Sequence, residues 1–138
     1  MRRLLFLALA ALAPVRPLAA EPAAMNPVPV ARRALLAADI TPARPIARVE
    51  IKEVTLAPGV AAGLHLHPCP VVGVVTAGAI AFQLEGGPVR HLRAGDAFCE
   101  PAGARVARFD NEGDAPATFA ACYLLAAGET GLIRRLEP

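Results

Sequence analysis

The sequence predicts an all-β domain, either a sandwich or a barrel. From residue 46 to residue 128, short runs of β-branched and apolar residues recur at intervals of roughly 8–12 residues. Each run ends at turn residues, and all 11 glycines lie at or after Gly59. No convincing long amphipathic helix occurs after the first twenty residues. This combination is typical of small antiparallel sandwiches and barrels.

Length and charge narrow the class further. The chain has 138 residues, the size of one domain, and its 55% apolar content is sufficient for a core. There are 14 basic and 12 acidic residues, but three of the arginines lie in the first twenty residues. The rest of the chain therefore has a net charge of 11 − 12 = −1. We therefore expect no nucleic-acid partner. No apolar run reaches the ~20 residues of a membrane span.

The first twenty residues have the pattern of a secretory signal peptide. Arg2 and Arg3 precede an apolar stretch over 4–13, and small residues lead to a predicted cleavage between Ala20 and Glu21. We therefore expect a periplasmic or secreted protein. In such a compartment Cys69, Cys99 and Cys122 permit at most one internal disulfide, and their spacing favours no pair.

The remaining chain divides into three parts. Residues 21–45 form an arm, in which the stretch 30–40 fits a short helix and a first short strand equally well. Residues 46–128 form the predicted barrel, with its clearest strand at 46–56, and residues 129–138 form a tail. Further strands are predicted within 71–78, 79–87, 88–96, 97–103, 104–109 and 117–128.

The triplet His65-Leu66-His67 carries the most chemical information. Residues i and i+2 of a strand point to the same face, so the two imidazoles can hold one metal ion. Two exposed histidines on a loop are the alternative. His91 lies near a turn and is expected at the surface or rim.

The surroundings of this triplet resemble the two sequence motifs of the cupin superfamily. The first motif corresponds to Gly59, five residues, His65-Leu66-His67 and, after a gap, Gly78; the second corresponds to Gly95, five residues and Pro101-Ala102-Gly103. His67-Pro68-Cys69-Pro70 and Glu100-Pro101 are similar to small, single-domain, often exported cupins. The resemblance covers about 46–126. It implies a double-stranded β-helix, or jelly-roll, barrel with a metal or small-molecule pocket, and commonly a homodimer.

Two of the four ligand positions that the resemblance implies carry valine. The glutamate position falls on Val71 and the second-motif histidine position on Val106, while the asparagine position falls on Asp110. Valine offers no lone pair, so only His65 and His67 remain, and the two valines favour a drier pocket. The sequence around 110–114 is expected to form a solvated turn.

Other residues are candidates to complete or line the pocket. Cys69 has the same strand parity as the histidines, but the flanking prolines leave its direction open; its thiolate would favour zinc or Cu(I). Glu100 is expected either at the pocket mouth or in a surface ion pair. If Val106 faces inward, parity places Arg108 on the same face, where it could bind an anionic ligand; an exposed arginine is the alternative.

These observations lead to three functional hypotheses. The first is a small-molecule-binding barrel with a degenerate metal site. The second is a metal-dependent oxygenase or isomerase that binds Fe, Zn, Mn, Ni or Cu through His65 and His67. The third is a structural or dimerisation module without a ligand. The chain contains no serine, which excludes a Ser-His-Asp hydrolase, and it has no phosphate-binding glycine motif.

Overall fold

A computed structural model describes residues 30–137 and confirms the all-β class. Within this range there are nine strands and no helix. The strands are β1 (Arg48–Leu56), β2 (His65–Leu66), β3 (Val71–Ala77), β4 (Ala79–Leu84), β5 (Arg90–Arg93), β6 (Ala97–Glu100), β7 (Arg105–Asp110), β8 (Ala117–Leu125) and β9 (Arg134–Arg135).

The strands form two antiparallel sheets of the jelly-roll type. The four-stranded sheet has the order β1-β8-β3-β6, and the five-stranded sheet has the order β5-β4-β7-β2-β9. The longest ladder joins β1 to β8, from the Arg48–Leu125 pair to the Leu56–Ala117 pair. Buried side chains from both sheets form one core. The double-stranded arrangement predicted from the sequence is therefore present.

The core is filled mainly by aromatic rings. Every second residue of β8, beginning with Ala117, is buried, as the period of two of a half-exposed strand requires. Phe98, Phe109 and Phe119 meet at ring-centroid distances of 4.8–5.9 Å, with inclined planes typical of edge-to-face packing. This aromatic cluster forms the floor of the cavity described below.

A β-bulge in β7 changes the predicted direction of one candidate residue. Gln83 pairs with Arg108 but Leu84 pairs with Val106, so Ala107 is an additional residue on β7. Beyond a bulge, the alternation of faces changes phase. Val106 and Phe109 are therefore both buried, whereas the side chain of Arg108 is partly exposed. The parity argument for an inward Arg108 does not hold.

Residues 30–45 contain neither a helix nor a strand. The first short strand expected within 21–45 is therefore absent from the described residues, and residues 21–29 lie outside them. Pro42 and Pro45 cannot donate backbone hydrogen bonds to a ladder, and strand pairing begins only at Arg48. Leu36 lies instead against the outer face of the four-stranded sheet, beside Val72 and Cys122. The predicted signal peptide, 1–20, also lies outside the described residues.

All three cysteines carry free thiols. Val72 pairs with Cys99 on one side and with Cys122 on the other. The two cysteines are thus separated by two strand spacings, about 9.5 Å, which exceeds the reach of a disulfide. Residues 30–137 contain no helix that is long and apolar enough to cross a membrane.

The glycine at position 73 leaves room for the ring of Phe98, its partner on the neighbouring strand β6. A Cβ at Gly73 would lie 2.3 Å from the Phe98 ring and 2.5 Å from the Ala120 carbonyl oxygen. Because the backbone oxygen cannot move without breaking the β3–β8 ladder, Gly73→Ala should destabilise the fold by about 1–3 kcal/mol. Urea unfolding would measure this, with Gly131→Ala as control because the nearest atom to its Cβ is 4.0 Å away. Equal stability of the two variants would contradict the packing argument.

Candidate metal centre

Three buried side chains converge at one end of the core. His65 and His67 come from β2 and the residue that follows it, and Glu100 ends β6. Their potential ligand atoms all lie within 4.8 Å of one another. The residues are only 3–5% exposed. The sequence expectation of two remaining ligands is therefore corrected to a cluster of three groups that could hold a metal ion.

The carboxylate reaches the cluster from a strand next to the expected position. Glu100 is the cross-strand partner of Val71 in the β3–β6 ladder. Directly opposite residues of a ladder project to the same face, so a glutamate at 100 occupies the neighbourhood that a glutamate at 71 would have occupied. Glu100 lines the cavity, as expected of a pocket residue, but it is buried within the cavity and lies neither at the mouth nor in a surface ion pair.

Backbone carbonyls orient both imidazole rings. His65 Nδ1 lies 2.7 Å from the Gly63 carbonyl oxygen, and His67 Nδ1 is hydrogen-bonded to the Leu132 carbonyl oxygen. In each case the Nδ1–H donates to the carbonyl, which leaves Nε2 for the cluster. This is the outer-shell arrangement that commonly fixes metal-binding histidines. The ring centroids lie 5.2 Å apart.

His67 and Glu100 form a buried ion pair. His67 Nε2 lies 2.9 Å from Glu100 Oε2. Burial by itself would lower the pKa of His67, but the hydrogen bond and the negative charge of Glu100, helped by the Leu132 carbonyl, outweigh it and raise the pKa above its usual 6.5. Burial, followed by the charge of Glu100, also raises the pKa of Tyr123. The contact with Glu100 thus favours the protonated form of His67.

The cluster opens into a cavity of about 270 Å³. Its polar end holds the three clustered side chains and Tyr123, and its walls are mainly apolar. Val71 lines this cavity, next to the aromatic floor of Phe98, Phe109 and Phe119. The exposed residues Val60, Ile133 and Arg135 lie at its mouth.

The other candidate residues lie elsewhere. Val106 is fully buried opposite His65 but does not line the cavity. Cys69 is fully buried within the apolar core and is not part of the three-residue cluster. Burial and, secondarily, the negative charge of Glu129 raise the pKa of the Cys69 thiol. The raised pKa disfavours a thiolate ligand at this position. Arg108 pairs with Asp110 and Glu112 outside the cavity. His91 is exposed, as expected.

Sequence reasoning missed Asn111, which it placed in a solvated turn. Asn111 is 2% exposed, and its amide donates to the carbonyls of Leu56, Ala57 and Ala115. Its Oδ1 accepts from the Gly113 amide. The motif count falls on Asp110, one residue earlier, and the additional residue of the β7 bulge accounts for this displacement. Asn111 therefore ties the turn to the end of β1.

The comparisons with known proteins agree with this architecture. The sequence profile of the cupin domain matches residues 52–124. The chain belongs to the cupin family. No curated protein sequence matches the chain.

Among solved structures, an oxalate oxidase in complex with the substrate analogue glycolate is 26% identical, with a TM-score of 0.51 over 55% of this chain and 41% of that one. A sugar phosphate isomerase of the cupin superfamily from Silicibacter pomeroyi is 30% identical, with a TM-score of 0.51 over 58% and 52%. A DMSP lyase from Ruegeria pomeroyi shares the fold at 23% identity and TM-score 0.53, over 61% and 42%. The chain thus spans only about two fifths to one half of these proteins.

The cupin donor set fits a divalent metal ion. Two imidazoles and one carboxylate form a known ligand set for Fe(II) and for catalytic zinc, with coordination positions left for water or substrate. His67 Nε2 faces Glu100, and because the Gly63 carbonyl engages Nδ1 of His65, Nε2 is the nitrogen that His65 has free for a metal ion. The groups are held on strand ends of a packed barrel, with their potential ligand atoms within 4.8 Å of one another.

The raised pKa of His67 predicts a pH-dependent stability of the metal-free protein. Because the folded-state pKa is raised, the stabilisation by the charged pair is complete below about pH 6.5 and is lost as pH rises through the folded-state pKa. The excess stability of the native protein over Glu100→Gln should therefore be about 1–3 kcal/mol at pH 6 and should fall as the pH is raised above 6.5 through the folded-state pKa of His67. Unfolding in urea at several pH values would measure it.

An NMR titration of the histidine rings provides the control. Glu100→Gln should lower the pKa of His67, because it removes the negative charge that favours the imidazolium. An identical His67 titration curve in both proteins would contradict the ion-pair assignment.

Proposed function

We propose that this cupin is a metal-binding protein whose barrel cavity accepts a small organic molecule at the metal. His65, His67 and Glu100 would hold the ion, and the observation that carries the proposal is the convergence of these three buried groups from two separate segments, β2 with the residue that follows it and the end of β6. A divalent ion would act as a Lewis acid or redox centre toward a ligand in the cavity. Two structural neighbours, 26% and 30% identical, are described as an oxalate oxidase and a sugar phosphate isomerase, which supports an enzyme without selecting a reaction.

The protein's own residues would prepare the site in three ways. The carbonyls of Gly63 and Leu132 hold the two rings in position, and Glu100 supplies the negative charge that a divalent cation requires. The apolar walls restrict water around the ion, which strengthens electrostatic interactions there. Tyr123 supplies a neutral hydroxyl close to His67, and the centroids of the two rings are 5.7 Å apart.

Elemental analysis of the mature protein, purified without chelators or a metal-binding tag, would test the proposal. We expect about one equivalent of a first-row divalent metal per chain, retained after dialysis or recovered on reloading with Fe(II), Zn(II), Mn(II), Ni(II) or Cu(II). His65→Ala/His67→Ala should abolish this binding, and Glu100→Gln should weaken it about 10–100-fold.

The matched control is His91→Ala, because His91 is exposed and outside the cluster. It should leave the metal content unchanged. Substoichiometric metal in the native protein after reloading, or equal loss in the His91 variant, would overturn the proposal.

A second candidate is a barrel that binds a small molecule without a metal. The His67–Glu100 pair supports it, because the two charged groups already satisfy one another. Among the described residues, no buried side-chain nitrogen or oxygen atom lacks a hydrogen-bond partner. Failure of metal loading, together with a folded native protein, would favour this function. The non-binding module is disfavoured by the open cavity.

We also propose export to the periplasm or the outside, with cleavage between Ala20 and Glu21, and assembly as a homodimer. Mass spectrometry of the protein recovered from a secreting host should find Glu21 at the N-terminus; an intact residue 1 in the exported fraction would contradict this cleavage.

The homodimer is expected to bury exposed apolar residues on the outer face of the four-stranded sheet. Val49 and Ile51 are 52% and 69% exposed there. Ile51→Lys should therefore convert a dimer into a monomer in light scattering at micromolar concentration. Val89→Lys, at an exposed residue between β4 and β5, is the control and should leave the mass unchanged. A native monomer would contradict the proposed assembly.

A further inference from the structure

A single arginine stands at the mouth of the cavity beside the metal-binding cluster. Arg135 is the cross-strand partner of His65 in the β2–β9 ladder, and both residues line the cavity. Directly opposite residues of an antiparallel pair lie about 4.5–5.5 Å apart at Cβ. The side chain of Arg135 therefore begins next to a proposed metal ligand.

The guanidinium group of Arg135 is hydrogen-bonded to the backbone but has no acidic partner among residues 30–137. Its Nη1 donates to the Ala62 carbonyl oxygen at 2.7 Å, which fixes the group at the mouth. The eight ion pairs among residues 30–137 do not include Arg135. The other N–H donors of the planar fork remain for a ligand, and their geometry matches a carboxylate.

The charges around the cavity favour an anion. Within the described residues, Glu100 contributes the one carboxylate of the lining, and it is already paired with His67. The two positive charges of a divalent ion at the cluster would exceed the single negative charge of Glu100, and Arg135 adds a further positive charge. Beyond this end, the cavity is formed by the apolar Val54 and Leu56 and the three phenylalanine rings of the floor.

We infer that the cavity ligand is a small organic carboxylate with an apolar, preferably aromatic, body, whose anionic group binds Arg135 beside the metal-binding cluster. This inference rests on the proposed function and adds the chemical class of its ligand. The volume of about 270 Å³ corresponds to about nine water molecules at ~30 Å³ each, so a ligand of about ten non-hydrogen atoms fits. The carboxylate meets the guanidinium, and the apolar body packs against the phenylalanine floor.

Isothermal titration with phenylacetate and its uncharged analogue phenylacetamide tests the inference. The native protein should bind phenylacetate at least about tenfold more tightly, because only the carboxylate is negatively charged and offers two acceptor oxygens for a bidentate ion pair with Arg135. Arg135→Gln should weaken phenylacetate binding about 10–100-fold and leave phenylacetamide binding unchanged. Arg135→Lys, which keeps the charge but not the planar fork, should give an intermediate affinity.

The matched control is Arg134→Gln. Arg134 precedes Arg135 in β9, is equally exposed and pairs with Leu66, but it does not line the cavity. It should preserve the preference for phenylacetate. Equal weakening by the two glutamine variants, no preference for the carboxylate in the native protein, or no binding of either compound would each overturn the inference.

Titrations of metal-loaded and chelator-treated protein separate this inference from the proposed function. Arg135→Gln should keep the metal content of the native protein, since Arg135 is not among the clustered ligands. If neither the native protein nor the Arg135→Gln variant retains metal, the metal-binding proposal fails. The dependence of phenylacetate binding on Arg135 in the chelator-treated protein then still decides the role of the arginine.

Discussion

The buried contact between His67 and Glu100 is the constraint that organises this end of the barrel. Taking an ionised carboxylate out of water is costly unless a partner compensates it. Glu100 is 3% exposed, and His67 lies 2.9 Å away. The pair can exist only if the segment after β2 and the end of β6 are held together, and the tail must also approach, because the Leu132 carbonyl accepts from the same imidazole. Three distant parts of the chain thus meet at one ring.

The ladder pairing explains how three groups that could hold a metal ion come together although two motif positions carry valine. Val71 and Glu100 are opposite one another, so a glutamate at either position projects its carboxylate into the same space. The valine at 106 has a different consequence. It is fully buried opposite His65 and supplies packing where a fourth ligand was expected. The resulting donor set has three members, with room for a ligand on the cavity side.

Strand periodicity and turn residues predicted the all-β class and most of the strands, whereas the jelly-roll arrangement was implied by the resemblance to cupins. The runs at 71–78 and 117–128 became β3 and β8 with nearly the expected bounds. The histidine pair could also be found, because its spacing is local. Glu100 was expected to line the pocket, but its place beside the two histidines could not be predicted, because it depends on the register of β3 and β6, which lie apart in sequence. Arg108 and Asn111 depended on the bulge at Ala107, and no residue at that point signals a change of phase.

The tail illustrates why membership of a fold family leaves the ligand open. The cupin profile ends at residue 124, yet the carbonyl of Leu132 orients His67, and Ile133 and Arg135 form part of the cavity mouth. β9 contains only two residues, and it joins the barrel through β2, the strand that carries His65. The segment that decides which charge a ligand meets is therefore attached directly to a proposed metal ligand. Changes in this short strand could alter ligand preference while the packed strands of the barrel stay the same.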